Sequence, residues 1–397
     1  MKIALYYPWI YLPGGAERVI LGLVNHSRHE WEIFTSRYES ESTFPEFRDL
    51  KVTQLGTVSV KRTLREVLGA SARILTQKLP LEGFDALLVV SDGVGDFTIF
   101  RNSSIPVFCC CLTPLRVAFD SAYRDRCLER LRLPHALLYR CAALGFRVLD
   151  RVAWKRYKEV FFISRESARR AAEGGLIRVD SPTITHPGLG VRGDNWSGRS
   201  DPYFLIAGRI MWTKNIELGI RAFRSLLEQN PALEHFRLVI AGIVDRKSLS
   251  YFEYLKSLAS EEPRIEFRAF PSDEELKDLY DNCRAVVFTP FNEDWGIVPL
   301  EAMSFGKPVI AVNRGGPTES IEHGLQGFLC EPDPSEFARH MALLALDMPL
   351  TLRMGTAGMR RARQFTWQAF VAPIDDGLEG LVYVPERARQ HGAGAVG

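Results

Sequence analysis

The stretch Val286-Val-Phe-Thr-Pro-Phe-Asn-Glu-Asp-Trp-Gly-Ile-Val-Pro-Leu-Glu-Ala-Met-Ser-Phe-Gly-Lys-Pro-Val-Ile-Ala-Val-Asn-Arg-Gly-Gly-Pro-Thr-Glu-Ser-Ile321 carries the decisive pattern of this chain. Ala285 to Phe288 is a short apolar run of the kind that forms a strand buried on both faces. A loop follows, then Pro299 at an expected first helical position, a helix to about residue 305, Gly306 as its stop, and a second apolar strand from Pro308 to Val312. Strand, loop, helix and strand in this order make one βαβ unit of a parallel sheet.

The start of that helix has an unusual composition. Ile297 and Val298 stand where a cap belongs, and neither side chain accepts a hydrogen bond from the first-turn N–H groups. A phosphate resting on the N–H groups of Gly296, Ile297, Val298 and Leu300 would satisfy those donors and the helix dipole together, with Gly296 permitting close approach. Glu293 precedes the helix and Glu301 lies in its first turn, so both carboxylates are placed to border one bound molecule and to accept bonds from sugar or ribose hydroxyls. Taken singly, Glu301 reads equally as a charge complementing the helix and Glu293 as a solvated loop charge.

Working outward, the same alternation of strands and helices runs through the chain. Strands are expected at Lys2 to Tyr7, Glu32 to Thr35, Val52 to Leu55, Ala86 to Val90, Val107 to Cys111 and Val160 to Ile163. After the first strand, Gly14-Gly15 opens a helix through about Ser27; the pair lacks Gly-x-Gly-x-x-Gly spacing, which argues against a dinucleotide, yet allows backbone to approach a phosphate or sugar. A polar Gly/Ser/Asp stretch from 190 to 202 reads as a linker. Beyond it a second series begins with Tyr203 to Ala207, followed by Gly208-Arg209-Ile-Met-Trp-Thr-Lys214-Asn215 and a helix to about Gln229, then strands at Leu238 to Ala241 and Ile265 to Phe267. Arg209 and Lys214 thus flank a loop at the carboxyl end of a parallel strand, where open α/β sheets bind ligands.

Composition sets bounds. A length of 397 residues favours two domains, and 46% hydrophobic with 25% charged residues is ordinary for globular proteins. The formal charge of +2 gives no support to a general polyanion-binding role. Seven cysteines, three of them consecutive (Cys109, Cys110, Cys111), with no Cys-x-x-Cys pair, read as reduced and mostly buried thiols of a cytosolic protein. No run reaches the length of a membrane span, and the amino terminus is too short and too soon interrupted by Pro8 for a signal segment. One stretch is strongly basic: from Arg116 to Lys158, Arg and Lys outnumber Asp and Glu and alternate with Leu, Phe, Tyr and Trp at helical spacing. It reads either as a solvated amphipathic helix pair or as a surface resting on anionic lipid headgroups.

Two glutamates with seven residues between them, followed by Ala-Met-x-x-Gly-Lys-Pro-Val-Ile-Ala and Gly-Gly-Pro-x-Glu, resemble the donor site of glycosyltransferase family 4, retaining enzymes of GT-B fold. Phe288 to Pro332 is most similar to GDP-mannose-dependent mannosyltransferases of dolichol-linked oligosaccharide and bacterial O-antigen assembly. The resemblance implies two Rossmann-like domains facing across a cleft: 1–190 on the acceptor side, 203–365 binding the nucleotide sugar, and a closing helix over 366–384 returning toward the first. It implies that Arg209 and Lys214 hold the donor diphosphate and that Glu301 takes the ribose hydroxyls. Glu293 would contact the transferred sugar, and the Gly14-Gly15 loop and the helix start at Gly296, Ile297 and Val298 would complete the donor site. The segment Leu112-Thr113-Pro-Leu-Arg116 is similar to a His-Thr-Pro-x-Arg element of the same enzymes, which makes Thr113 and Arg116 acceptor-side candidates; Leu112 stands where those enzymes have His.

The implied reaction moves a hexose, mannose from GDP-mannose, to a lipid-linked saccharide at the cytoplasmic face of a membrane, with no metal and no cofactor beyond the donor. A UDP-sugar enzyme acting on another acceptor is the alternative, and so is a non-catalytic GT-B partner subunit. The subunit reading would fit better had Arg209, Lys214 or Glu293 been lost. No lysine stands out for the pyridoxal phosphate of a GT-B phosphorylase, and the missing Gly-x-Gly-x-x-Gly disfavours a dehydrogenase.

Overall fold

A computed structural model describes residues 1–60, 63–129, 133–177, 181–193, 198 and 200–382. Arg130 and Arg132 of the basic stretch, much of the expected linker, the last residues of the closing helix and the polar tail beyond Pro385 lie outside the described residues. The chain forms two compact units, one of residues 1–187 together with the segment from Trp367, the other of residues 188–366.

The first unit is built on a parallel sheet of seven strands among the described residues: β1 (Lys2–Tyr6), β2 (Glu30–Thr35), β3 (Val52–Gln54), β4 (Ala86–Ser91), β5 (Val107–Cys111), β6 (Val160–Phe162) and β7 (Thr183–Ile184). Their spatial order is β3-β2-β1-β4-β5-β6-β7, with Lys2 opposite Glu30 on one side of β1 and Ile3 opposite Ala86 on the other. Every residue of β4 and β5 is buried, as expected when helices cover both faces of a sheet. Cys109, Cys110 and Cys111 are among them, and Cys141 is exposed. The helix Trp367–Val382 belongs to this unit. It docks on the helix Gly15–His26, where the Trp367 ring leaves no room for a Cβ on Gly22, and Asp375 accepts bonds from the Ser27 hydroxyl (2.6 Å) and the Arg28 N–H (3.0 Å).

The second unit repeats the plan with β8 (Tyr203–Ala207), β9 (Arg237–Gly242), β10 (Ile265–Ala269), β11 (Ala285–Phe288), β12 (Val309–Val312) and β13 (Gly327–Cys330), all parallel, in the order β10-β9-β8-β11-β12-β13. Phe204, Leu238, Ile240, Val287 and Ile310 meet the helix Ile216–Gln229 through Ile220, Phe223 and Leu226 in its core. The strand order reverses between β8 and β11. At that switch the chain leaves the two neighbouring strands in opposite directions, which opens a crevice at their carboxyl ends.

Two strands were not expected. β7 has only two half-buried residues, too short for a periodic signal. β13 begins at Gly327, a poor strand former, placed there because a Cβ would come within 2.0 Å of the Val309 carbonyl oxygen. The helix of the decisive stretch also differs from expectation: it spans Ile297–Ser304, two residues earlier than expected. Pro299 sits within its first turn, where its missing N–H costs no helical bond. Gly306 ends it in the left-handed region at φ +68°, as expected of a glycine after a helix.

Candidate donor site

Arg209 and Lys214 follow β8, Glu293 follows β11, and the two loops therefore sit side by side at the switch point. The loop after β8 is shaped by close backbone contact. Gly208 adopts φ +122°, and a Cβ on Gly242 would lie 1.6 Å from the Gly208 carbonyl oxygen, so only glycine fits at the end of β9. The Ile210 N–H donates to the Ile243 carbonyl at 2.9 Å and holds the turn against the neighbouring strand. Asn215 ends a short turn over Trp212–Lys214 at φ +50°, a conformation asparagine tolerates.

The two loops are tied together. The Thr289 hydroxyl donates to the Lys214 carbonyl at 2.8 Å, and the Phe291 N–H to the Thr213 carbonyl at 3.3 Å. These bonds present the Lys214 ammonium to the Glu293 carboxylate, Nζ to Oε2 at 2.7 Å, with both side chains about three-quarters buried. Glu293 is held from the other side by Gly315-Gly316. The Gly316 N–H donates to the Glu293 carbonyl at 2.8 Å; a Cβ on Gly315 would lie 2.2 Å from that carbonyl oxygen, and one on Gly316 2.0 Å from the Trp295 carbonyl oxygen. Arg209 is half-buried, lines the same hollow as Lys214, Phe288, Thr289 and Pro290, and has no ion-pair partner among the described residues. The arrangement leaves one cation unneutralised and a second shared with a carboxylate, a setting that accepts an anion.

The helix Ile297–Ser304 starts from Gly296 at φ +85°, with no side chain capping it. The structure thus moves the cap from Ile297 to Gly296 and preserves the consequence, an N-terminus without a side-chain acceptor. Glu301, 7% exposed, is held by its own unit: the Val191 N–H donates to Oε1 and the Tyr280 hydroxyl to Oε2, both at 2.9 Å. Tyr280 is in turn stacked on Phe305. These two bonds orient the Glu301 carboxylate. Tyr280 and Val191 carry no motif that would have marked them in advance; they are spatial neighbours of Glu301 from remote segments.

In the first unit Gly14 caps the helix Gly15–His26, and a Cβ there would lie 2.6 Å from Oε2 of the buried Glu17 and from Cδ1 of Leu12, side-chain ends that would have to shift to admit it. At Gly15 no atom stands within 4 Å of the Cβ position. The Thr113 hydroxyl accepts from Arg170 at 2.7 Å, and Arg170, nearly fully buried, also bonds Glu166 at 3.0 Å and lies 3.6 Å from Asp120. Arg170 is the organising cation of that loop, and its motif-free setting hid it in the sequence. Arg116 lies over the Tyr123 ring. Away from these loops, Cys330, Glu336 and His340 come together, with Sγ of Cys330 3.3 Å from Nδ1 of His340 and the same nitrogen 3.0 Å from the Glu336 carbonyl oxygen. The Glu336 carboxylate accepts from the Glu331 N–H at 3.1 Å.

Residues 194–361 match the model of the family described as "Glycosyl transferases group 1". An alpha-1,3/1,6-mannosyltransferase, ALG2, of Rhizomucor pusillus is 32% identical over an alignment covering 100% of this chain and 95% of its own length. The chain is a group 1 glycosyltransferase of the mannosyltransferase family. The mouse ALG2 alpha-1,3/1,6-mannosyltransferase is 29% identical over 93% of this chain and 94% of its own. Among solved structures, Anabaena HepE in complex with UDP and glucose matches the fold with a TM-score of 0.71 at 19% identity, covering 96% of this chain and 100% of that one. The two-Rossmann, GT-B architecture expected from the sequence is therefore the one observed, and the protein is an enzyme.

Proposed function

We propose that this enzyme transfers mannose from GDP-mannose to a lipid-linked saccharide at a membrane surface, with retention of configuration. The observation that carries the reading is the meeting of Arg209, Lys214 and Glu293 with an uncapped helix N-terminus at the switch point of the second sheet. A nucleoside diphosphate leaving group develops negative charge as the glycosidic bond breaks. Preorganised cations and backbone donors lower that barrier, and Arg209, Lys214 and the N–H groups at Gly296, Ile297 and Val298 supply them. Donor binding transfers Lys214 from Glu293 to phosphate oxygens, which frees the Glu293 carboxylate for hydroxyls of the transferred sugar and for the positive character developing at its anomeric carbon. Glu301, oriented by Val191 and Tyr280, takes the ribose.

The base end of the nucleotide falls to the edge beyond β9. Phe270 stands there at the carboxyl end of β10, 63% exposed and at φ +55°, with its N–H bonded to the Gly242 carbonyl at 3.0 Å. A bulky residue held in this conformation and left in solvent marks a position kept for contact, and an aromatic ring face suits a purine. Thr113 and Arg116, with Arg170 behind them, serve the acceptor. The fixed cations take the part a metal plays in other sugar-nucleotide chemistry, so none is invoked. The test is transfer assayed with GDP-mannose, GDP-glucose, UDP-glucose and UDP-galactose against a short-chain lipid pyrophosphate saccharide. Turnover with GDP-mannose alone supports the reading; turnover with a UDP-sugar alone overturns it in favour of the UDP-dependent alternative.

A further inference from the structure

The helix Leu133–Trp154 is amphipathic in the wrong sense for a solvated surface helix. Ala143, Phe146, Asp150, Ala153 and Trp154 face the first unit's interior, as an amphipathic helix requires. The opposite, outward face should then be polar. Instead Leu137, Leu144, Val148 and Val152, seven and four residues apart and so in one line along the helix, are 65%, 62%, 55% and 44% exposed. Cys141, also exposed, sits in the same line, and Leu138 and Leu149 widen it. A contiguous apolar stripe of this length on a helix surface marks an interaction site.

The charges beside the stripe identify the occupant. Arg140 borders it, and Lys155 and Arg156 follow at the helix end, all exposed, whereas the Arg151 guanidinium donates to the Gly174 carbonyl at 2.8 and 3.0 Å. The only carboxylate on the helix, Asp150, is fully buried on the other face. Pairing with a second copy through the same face would set these arginines near one another, because a two-fold interface is self-complementary. An anionic bilayer answers both features: headgroup phosphates meet the basic border, and the acyl boundary takes the leucines and valines. No helix among the described residues is long and apolar enough to cross a membrane, so the contact is made in the plane of the interface.

We infer that Leu133–Trp154 is a membrane-docking helix that lies in the interface of an anionic bilayer with the stripe through Leu137, Leu144, Val148 and Val152 inserted. This deepens the lipid-linked-acceptor reading by naming the surface that brings the enzyme to its acceptor. Insertion of apolar side chains has a consequence that charge attraction alone lacks: raised salt weakens binding without abolishing it.

The full chain is floated with vesicles of phosphatidylcholine containing phosphatidylglycerol and with vesicles of phosphatidylcholine alone. The wild type is expected to float with the anionic vesicles and to retain part of that binding at high salt. Leu144→Glu combined with Val148→Glu is expected to weaken it by about tenfold or more, and Arg140→Glu with Lys155→Glu to weaken it at low salt. A second measurement needs no disruptive variant: an environment-sensitive fluorophore on Cys141, in a Cys127→Ser background, is expected to shift to the blue on binding and to be quenched by lipid-borne quenchers. Failure to float, flotation of the Leu144/Val148 variant at wild-type level, or an unshifted Cys141 probe on bound protein overturns the proposal. Concentration-dependent self-association lost in the same variant, without vesicle binding, overturns it in favour of a face for a second copy. Vesicle binding is read without turnover, so a failure of the GDP-mannose reading leaves this result standing and the two are told apart.

Discussion

Lys214 and Glu293, from loops that follow two neighbouring strands, form an ion pair with Nζ and Oε2 2.7 Å apart. Arg209, on the same loop as Lys214, has no such partner among the described residues. Of the two loop cations one is thus neutralised by a carboxylate and the other is not, and in the proposed donor site Arg209 is the charge that an entering anion meets.

Arg209→Ala and Lys214→Ala are each expected to lower kcat/KM by a factor corresponding to about 2 to 4 kcal/mol, the range for removing one preorganised donor to developing charge. Both side chains are partly open to solvent, so thermal unfolding should stay close to that of the wild type. Steady-state kinetics with a calorimetric scan checks both halves; full turnover in both variants would contradict the assigned role.

Gly316→Ala and Gly242→Ala are expected to impair folding as well as activity. Each added Cβ would meet a backbone carbonyl oxygen, at 2.0 Å from Trp295 and 1.6 Å from Gly208, where no flexible side chain can yield. Relief requires moving the Glu293 loop or the Arg209 loop, at a cost on the order of 1 to 3 kcal/mol or more. Urea midpoints measure it.

Phe270→Ala is expected to raise the KM for the donor and to leave the fold intact, because the ring is largely in solvent. The same change to Gly should additionally relieve the positive φ, and Gly is expected to be the more stable of the two variants. Donor titrations with thermal melts separate these effects.

Chelation by EDTA is expected to leave turnover unchanged. Activity lost on chelation and restored by magnesium or manganese would show that Arg209 and Lys214 do not suffice for the leaving group.

A pH effect is expected from the first unit, away from the donor site. Asp96 is fully buried, accepts from the Tyr157 hydroxyl at 2.6 Å and the Trp154 indole at 3.2 Å, and is pushed up to about 6, chiefly by burial. Asp150 beside it is raised well above the usual carboxylate range by burial and by the Asp96 charge. A carboxyl raised in the folded state binds more protons there than in the unfolded chain, so stability falls as pH rises from the unfolded value near 4 through the folded one. Asp150→Asn removes one ionisation and offers an amide N–H in place of a buried carboxyl whose oxygens have no hydrogen-bond partner among the described residues. The variant is expected to be more stable than the wild type at pH 8 by about 1 to 3 kcal/mol, with the difference shrinking toward pH 5.

Much of the fold, and the placement of the candidate site's loops within it, was legible because the parts are local. Strands buried on both faces appear as unbroken apolar runs, and the loops at their carboxyl ends are the segments that carry Arg209, Lys214, Glu293 and the glycines. The helix start misplaced by two residues reflects a rule read too strictly: proline is favoured at the first position but tolerated throughout the first turn, and Gly296 in the left-handed region had the stronger claim to the cap. Arg170 was missed because, although Glu166 stands four residues before it on the same helix, its burial depends on Thr113 and Asp120 from remote segments, and no spacing along the chain encodes that meeting.

The sequence by itself therefore determined the parallel α/β plan, the two-fold repetition of that plan and the chemical cast of the donor loops, since each depends on periodicity and residue type within a few turns of chain. Tertiary structure alone decided that Lys214 meets Glu293, that Val191 and Tyr280 orient Glu301, and that the leucines of the helix Leu133–Trp154 face outward while Asp150 faces in. A helical pattern shows that two faces differ; which of them the rest of the molecule covers depends on contacts with segments remote in the chain.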